Sequence, residues 1–257
     1  MMSARLEGRG VGKQFGGLRV LSHVDFAVES GEIVALIGPN GAGKTTLFNL
    51  VSGLERPGAG SIRLDGREIT RLPAYRIARL GVGRTFQTPR PFLDLTAAEN
   101  VGAAILFARR AVDSEPADEA PARGGATPQA LLALLDLGPC AGTIARHLPL
   151  SRRKLLELAM ALALGPRIVL LDEILAGLTP AEVTAATAIL RRLRDERGIG
   201  LFWVEHVMSA VMETAGRVLV LHHGEVICEG PPAAVSRDPR VIEAYLGDPA
   251  ADEAIAS

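Results

Sequence analysis

Gly38-Pro39-Asn40-Gly41-Ala42-Gly43-Lys44-Thr45 sets glycines, a lysine and a hydroxyl at the spacing G-x-x-x-x-G-K-[ST]. Glycines let the backbone wrap closely around a phosphate, with its N–H groups pointing inward. A helix N-terminus behind such a loop adds partial positive charge. At this spacing Lys44 reaches the β- and γ-phosphates of a nucleotide, and the Thr45 hydroxyl is a ligand for Mg²⁺. Ile168-Val169-Leu170-Leu171-Asp172-Glu173 complements the loop. A buried strand ending in two carboxylates sets Asp172 near the Mg²⁺ and Glu173 beside an attacking water. The two segments together predict a nucleotide-phosphate site with hydrolytic chemistry.

Both segments depend on the elements that flank them. Glu32 to Ile37 is a short apolar run between glycines, which suits a strand buried on both faces, and Thr45 to Leu54 continues as a helix. Residues 18–37 read as paired strands, because Val20, Val24, Phe26 and Val28 keep a period of two and Ser30-Gly31 supplies a turn. Residues 61–69 read as a hairpin turning at Asp65-Gly66. Helical patterns fall at 73–80, 96–107, 130–137, 152–164 and 180–196, and further strands at 168–171, 201–204, 218–221 and 225–228. This alternation predicts an α/β fold with a mostly parallel core sheet and an antiparallel β region near the N-terminus. The largely helical stretch from about 75 to 160 reads as a lobe inserted into a single domain spanning 1–257. Residues 108–129 shift abruptly to Ala, Pro, Gly and charge and read as a flexible surface insertion, and 248–257 as a disordered tail.

Composition removes several classes. The chain has 257 residues, of which 48% are hydrophobic and 22% charged, enough to bury a sizeable core and unlike a disordered chain. A net charge of -1 and an aromatic content of 4% argue against a nucleic-acid partner. Cys140 and Cys228 are too few for a disulfide framework. No stretch approaches the roughly 18 unbroken apolar residues of a spanning helix. The most apolar one, Leu155 to Leu164, is interrupted by Glu157. The polar segment Met1 to Gly10 lacks the apolar core of a signal peptide. These features predict a cytosolic chain that meets a membrane only through a partner.

In order and spacing, these motifs and others resemble the nucleotide-binding subunits of ABC transporters over nearly the whole chain. Phe15-Gly16-Gly17 is similar to the segment whose aromatic stacks on adenine. The resemblance assigns Phe15, Val20, the loop from Gly38 to Thr45, and Thr46 to ATP binding, with Thr45, Gln87 and Asp172 around Mg²⁺. Gln87, in Arg84-Thr85-Phe86-Gln87, matches the glutamine that touches the metal and the catalytic water and faces the membrane partner. His206, in Val204-Glu205-His206, matches the switch histidine near the γ-phosphate. Glu173, His206 and Gln87 are thereby the expected catalytic set.

The finer resemblance is to the branched-chain amino acid (Liv-type) subfamily, closest to its LivG-like members. It is carried by Leu95-Thr96-Ala97-Ala98-Glu99-Asn100-Val101, Ala176-Gly177-Leu178-Thr179-Pro180 and Val241-Ile242-Glu243-Ala244-Tyr245-Leu246-Gly247. The resemblance implies an importer ATPase on the cytoplasmic face of the inner membrane. Its implied partners are a second, LivF-like ATPase subunit, two membrane-spanning permease subunits and, indirectly, an external solute-binding protein. Import of an amide, urea or another small polar solute, and a weakly hydrolysing regulatory role, remain open beside it. A DNA-acting ATPase is disfavoured, because the 108–129 insertion is too short for a coiled coil and carries Pro and Gly instead of heptads, and a ribosomal one, because those members carry two ATPase domains in one chain and this sequence shows one.

The chain departs from that family at its signature loop. Leu148-Pro149-Leu150-Ser151-Arg152 stands where the family reads close to Leu-Ser-Gly-Gly-Gln, the loop that grips ATP held by the opposite subunit. Pro149 has neither an N–H nor a hydroxyl to offer, and Leu150 and Ser151 carry side chains where glycine permits close approach. Ile174, Thr179 and Val207 also differ from the family's usual proline, aspartate or asparagine, and aspartate. The resemblance therefore implies a dimer with one strong and one weak composite site when the partner is LivF-like, and two weak sites in a homodimer.

Overall fold

The computed structural model describes residues 4–112 and 126–246. Strand β1 (Arg5–Phe15) and β2 (Leu18–Glu29) pair antiparallel from Arg5↔Glu29 to Phe15↔Leu18. β4 (Ala59–Leu64) and β5 (Arg67–Glu68) complete a four-stranded antiparallel sheet in the order β2-β1-β4-β5. The hairpin at Asp65-Gly66 forms as expected, both residues taking positive φ (52° and 77°), as a two-residue turn of this twist requires.

The pairing within 18–37 differs from expectation. β2 pairs with β1, while β3 (Ile33–Ile37) leaves for the centre of a second sheet, ordered β10-β9-β3-β8-β7-β6. All five residues of β3 are buried, so it needs a neighbour on each edge and cover on each face. β2 alternates between buried and exposed and is satisfied in a half-buried sheet. β1 escapes the period-two reading because glycines and charges stand at many of its positions.

In the second sheet β9 (Arg217–His222), β3, β8 (Gly200–Val204), β7 (Ile168–Asp172) and β6 (Val82–Arg84) run parallel, with β10 (Glu225–Gly230) antiparallel at the edge. β6 lies inside the stretch expected to be helical; at three residues it is too short to show a period. Helices α1 (Lys44–Val51), α2 (Ala74–Arg79), α3 (Ala97–Val112), α4 (Pro128–Leu134), α5 (Leu150–Leu162) and α6 (Pro180–Arg197) fall close to their expected places. α7 (Met208–Thr214), α8 (Pro232–Val235) and α9 (Pro239–Leu246) were not foreseen. At the margins of the expected insertion, 108–112 continue α3 and 128–129 open α4. Its interior, 113–125, and the expected tail lie outside the described residues.

Strand alternation divides the interior into two cores. Ile33, Ala35 and Ile37 of β3, with Leu201 and Trp203 of β8, face a core shared with α3, α5 and α6. Val34, Leu36, Phe202 and Val204 face the core beneath the antiparallel sheet and α1. Phe202 stacks on Phe26 of β2 at 5.4 Å and meets Phe48 of α1 at 5.1 Å, so one ring joins both sheets and the helix behind the phosphate loop. Phe202→Ala is expected to cost about 3–5 kcal/mol of stability. Urea unfolding of the purified chain reads this directly, and a loss under about 1 kcal/mol would refute this role for the ring.

Candidate active site

β3 ends at Ile37, the glycine loop follows, and α1 begins at Lys44. Two of its glycines cannot be replaced without moving the backbone. Gly38 takes φ 151°, and a Cβ there would lie 2.0 Å from the Leu221 carbonyl oxygen. Gly43 takes φ 106°, and a Cβ there would lie 2.7 Å from Leu21 Cδ2. The loop is thus pressed against β9 and β2. The buried Lys44 ammonium donates to the carbonyls of Gly38 (2.6 Å) and Pro39 (2.9 Å), which holds it over the loop. A cavity of about 380 Å³ opens above, lined by Val20 and the run from Asn40 to Thr46, with Gln87, Glu173 and His206 on the facing wall. Residues as far apart in sequence as Val20 and His206 are thereby brought to one phosphate-sized space. Phe15 is exposed at the end of β1, with Lys13 Nζ 4.7 Å above its ring, and does not line this cavity.

Asp172 and Glu173 are adjacent but differently placed. Asp172 ends β7 and is 2% exposed. Its Oδ2 lies 3.3 Å from Arg84 Nη2, and among the described residues nothing bonds to its buried Oδ1. Burial raises the pKa of this carboxyl, and the Arg84 guanidinium offsets part of that rise. A buried carboxylate oxygen without a donor is costly in isolation and well suited to a divalent cation. Glu173 takes φ 51°, a left-handed conformation that is strained for a residue with a Cβ. Its N–H donates to the Val204 carbonyl (2.9 Å) and its own carbonyl accepts from Lys154 Nζ (2.7 Å). So held, Glu173 turns its carboxylate into the cavity. Gln87 Nε2 donates to Oε2 and His206 Nε2 meets Oε1, both at 2.7 Å.

Three positioning groups were not singled out by the sequence reading. Glu205 is buried and accepts the N–H groups of Leu175 (2.6 Å) and His206 (3.0 Å), tying together the loops that follow β7 and β8. Arg84 bridges Ser52 Oγ (2.6 Å) and Asp172. Glu157 accepts the N–H groups of Phe86 and Arg90, both at 2.9 Å. The available signal was a charged residue inside or flush against an apolar run, since Glu205 follows Gly200–Val204 directly and Glu157 interrupts Leu155–Leu164.

The loop from Leu148 to Arg152 does not line the cavity that Lys44 faces. Pro149 is the N-cap of α5 and no side chain caps that terminus. Leu150 is exposed, and the Ser151 hydroxyl is the leading influence that lowers the Glu182 carboxyl's pKa. Arg152 donates to the Asp136 carbonyl (2.7 Å). Thr179 forms a capping box with Glu182 at the start of α6.

Residues 21–176 match the family model described as ABC transporter. The chain belongs to that family. As an ABC ATPase it binds and hydrolyses ATP, and its α/β fold is that of the family's cassettes. Residues 225–251 match a second model, Branched-chain amino acid ATP-binding cassette transporter. The high-affinity branched-chain amino acid transport ATP-binding protein BraF of Pseudomonas aeruginosa is 37% identical over 95% of this chain and 98% of its own length. LivG of Escherichia coli K12, of the same description, is 35% identical over 96% and 100%. The lipopolysaccharide export ATP-binding protein LptB of Acidithiobacillus ferridurans is 37% identical over 96% and 98%. A crystal structure of an ABC transporter's ATP-binding cassette in its ADP conformation superposes with a TM-score of 0.81, at 27% identity over 96% of this chain and all of that one.

Proposed function

We propose that this ATPase powers an ABC importer for branched-chain or related amino acids, working beneath two membrane-spanning permease subunits at the cytoplasmic face of the membrane. The observation that carries this reading is the near-full-length likeness to BraF and LivG, together with the C-terminal match at 225–251. Among the described residues no helix is long and apolar enough to cross a membrane, which accords with spanning segments supplied by other chains. Likeness to LptB favours a second reading, lipopolysaccharide export. Deleting the gene and measuring uptake of labelled leucine, isoleucine and valine separates the two. Lost uptake with normal surface lipopolysaccharide supports import, and the reverse supports export.

In this reading the backbone N–H groups from Asn40 to Thr46 and the Lys44 ammonium bind the triphosphate, while Val20 and Phe15 lie toward the base. Thr45, Gln87 and Asp172 fit a Mg²⁺ that arrives with the nucleotide, since this ion keeps few protein ligands and completes its shell with phosphate and water. Bound there, it neutralises charge on the β- and γ-phosphates. Glu173 accepts the proton of the attacking water. Both of its oxygens are engaged by Gln87 and His206, so one partner must yield to that water, and the other then keeps the carboxylate aimed.

The second ATPase subunit is best supplied by a LivF-like chain with an intact signature loop. The loop from Leu148 to Arg152 supports this, because Pro149 removes one N–H at the start of α5 and the Ser151 hydroxyl is engaged by Glu182. The dimer would hold one strong site, at this chain's phosphate loop, and one weak site. The purified chain alone is expected to hydrolyse ATP at least about tenfold more slowly than with that partner, as loss of one preorganised set of phosphate donors dictates. Fast turnover by the isolated chain would overturn the asymmetry.

A further inference from the structure

The body of α5 reaches both loops that carry the reacting side chains. Glu157 receives the N–H of Phe86 on Oε2 and that of Arg90 on Oε1, each at 2.9 Å, and Gln87 lies between those two residues. Lys154, one turn earlier on the same helix face, donates to the carbonyls of Glu173 (2.7 Å) and Ala176 (2.8 Å). Lys154 is 3% exposed and Glu157 6%. Desolvating an acid and a base inside a helix costs more than packing leucine there, so stability alone does not account for them. Their partners are main-chain groups of two separate loops. The Phe86 ring is further fixed between the guanidinium groups of Arg84 (4.9 Å) and Arg90 (4.7 Å).

We infer that Lys154 and Glu157 are positioning residues for this chain's own hydrolytic site, a two-pronged clamp on α5 that sets the separation of Gln87 and Glu173. The clamp acts through the backbone, and what it sets is the 2.7 Å bond from Gln87 Nε2 to Glu173 Oε2. It lies on the helix whose first turn carries the degenerate signature loop. The N-terminus of α5 has thus lost side chains that serve the partner's ATP, while its second turn serves this chain's own site. The inference rests on the reading of Gln87 and Glu173 as the catalytic pair.

The test uses the full chain assembled with its partner ATPase and permease subunits. Glu157→Gln keeps size and shape but turns one acceptor oxygen into an amide that faces an N–H. Lys154→Met keeps the stem and removes the donor. Each is expected to lower kcat about 10–100-fold, the scale of a small misplacement of a reacting group, with KM for ATP changed less than about twofold. Gln87→Ala combined with Glu157→Gln should be no slower than Gln87→Ala alone, because both act on one group. Undiminished kcat in folded Glu157→Gln and Lys154→Met, additive losses, or an effect confined to Tm would overturn the inference. If Glu157→Gln does not fold, Glu157→Asp and Lys154→Met carry the same comparison. Glu173→Gln is assayed alongside. Its retained hydrolysis would remove the underlying reading, whereas its inactivity beside fully active clamp variants would remove the clamp alone.

Discussion

Lys44→Ala is expected to abolish ATP-dependent transport and to lower ATP hydrolysis by about 100–1,000-fold, the effect of deleting one preorganised charge donor at a developing phosphate charge. The ammonium is buried at the floor of the cavity and is held there by two carbonyls of its own loop, so it needs little rearrangement to meet a triphosphate. Alanine removes the cation that those two carbonyls hold at the cavity and that would meet the phosphate oxygens. Affinity for ATP should therefore fall together with kcat. The change falls on the first residue of α1 and leaves the core around Phe48 and Phe202 intact, so Tm without nucleotide should move by only a few degrees. Binding of a fluorescent ATP analogue, phosphate release and thermal unfolding on the same preparation check all three. Uptake that persists in a folded Lys44→Ala complex would contradict the proposed mechanism.

Glu173→Gln should separate binding from chemistry. Glutamine keeps the length and the strained turn of Glu173, and its amide can still meet Gln87 and His206 in the places where the carboxylate oxygens now stand. It cannot accept a proton. kcat is expected to fall by about 10²–10⁴-fold, the contribution of a positioned general base, while ATP affinity stays at or above the wild-type level. The dimer should accumulate in its ATP-bound closed form, visible by size-exclusion chromatography with ATP and Mg²⁺. A Glu173→Gln chain that turns over normally would move the base to another group, and His206 would be the first to test.

The parts of the site that were legible beforehand are those in which chemistry and backbone are encoded in one contiguous run. Gly38 to Thr45 specifies its own turn, because the glycines that must approach β9 and β2 stand within a few residues of the lysine they present. The run Ile168–Asp172 is apolar enough to be buried on both faces and ends where the carboxylates begin. The hairpin at Asp65-Gly66 and the capped helix from Pro180 were legible for the same reason.

Strand partners were not legible in this way. β2 and β3 are consecutive and separated by a short turn, yet they enter different sheets. The choice depends on how many faces each must bury, and on β1, whose own pattern is too broken to announce it. β6 was hidden because its three residues acquire meaning only beside β7.

What the sequence by itself determined is the phosphate loop, the strand that delivers Asp172 and Glu173, the α/β alternation and the family. What only the tertiary structure decided is how those groups are held. Glu157 meets Phe86 across 71 positions and Glu205 meets Leu175 across 30. The physical reason is range. A turn or a buried strand is selected by local torsions and local hydrophobicity, whereas the partner of a buried carboxylate is whichever N–H the packed sheets and helices bring within about 3 Å of it.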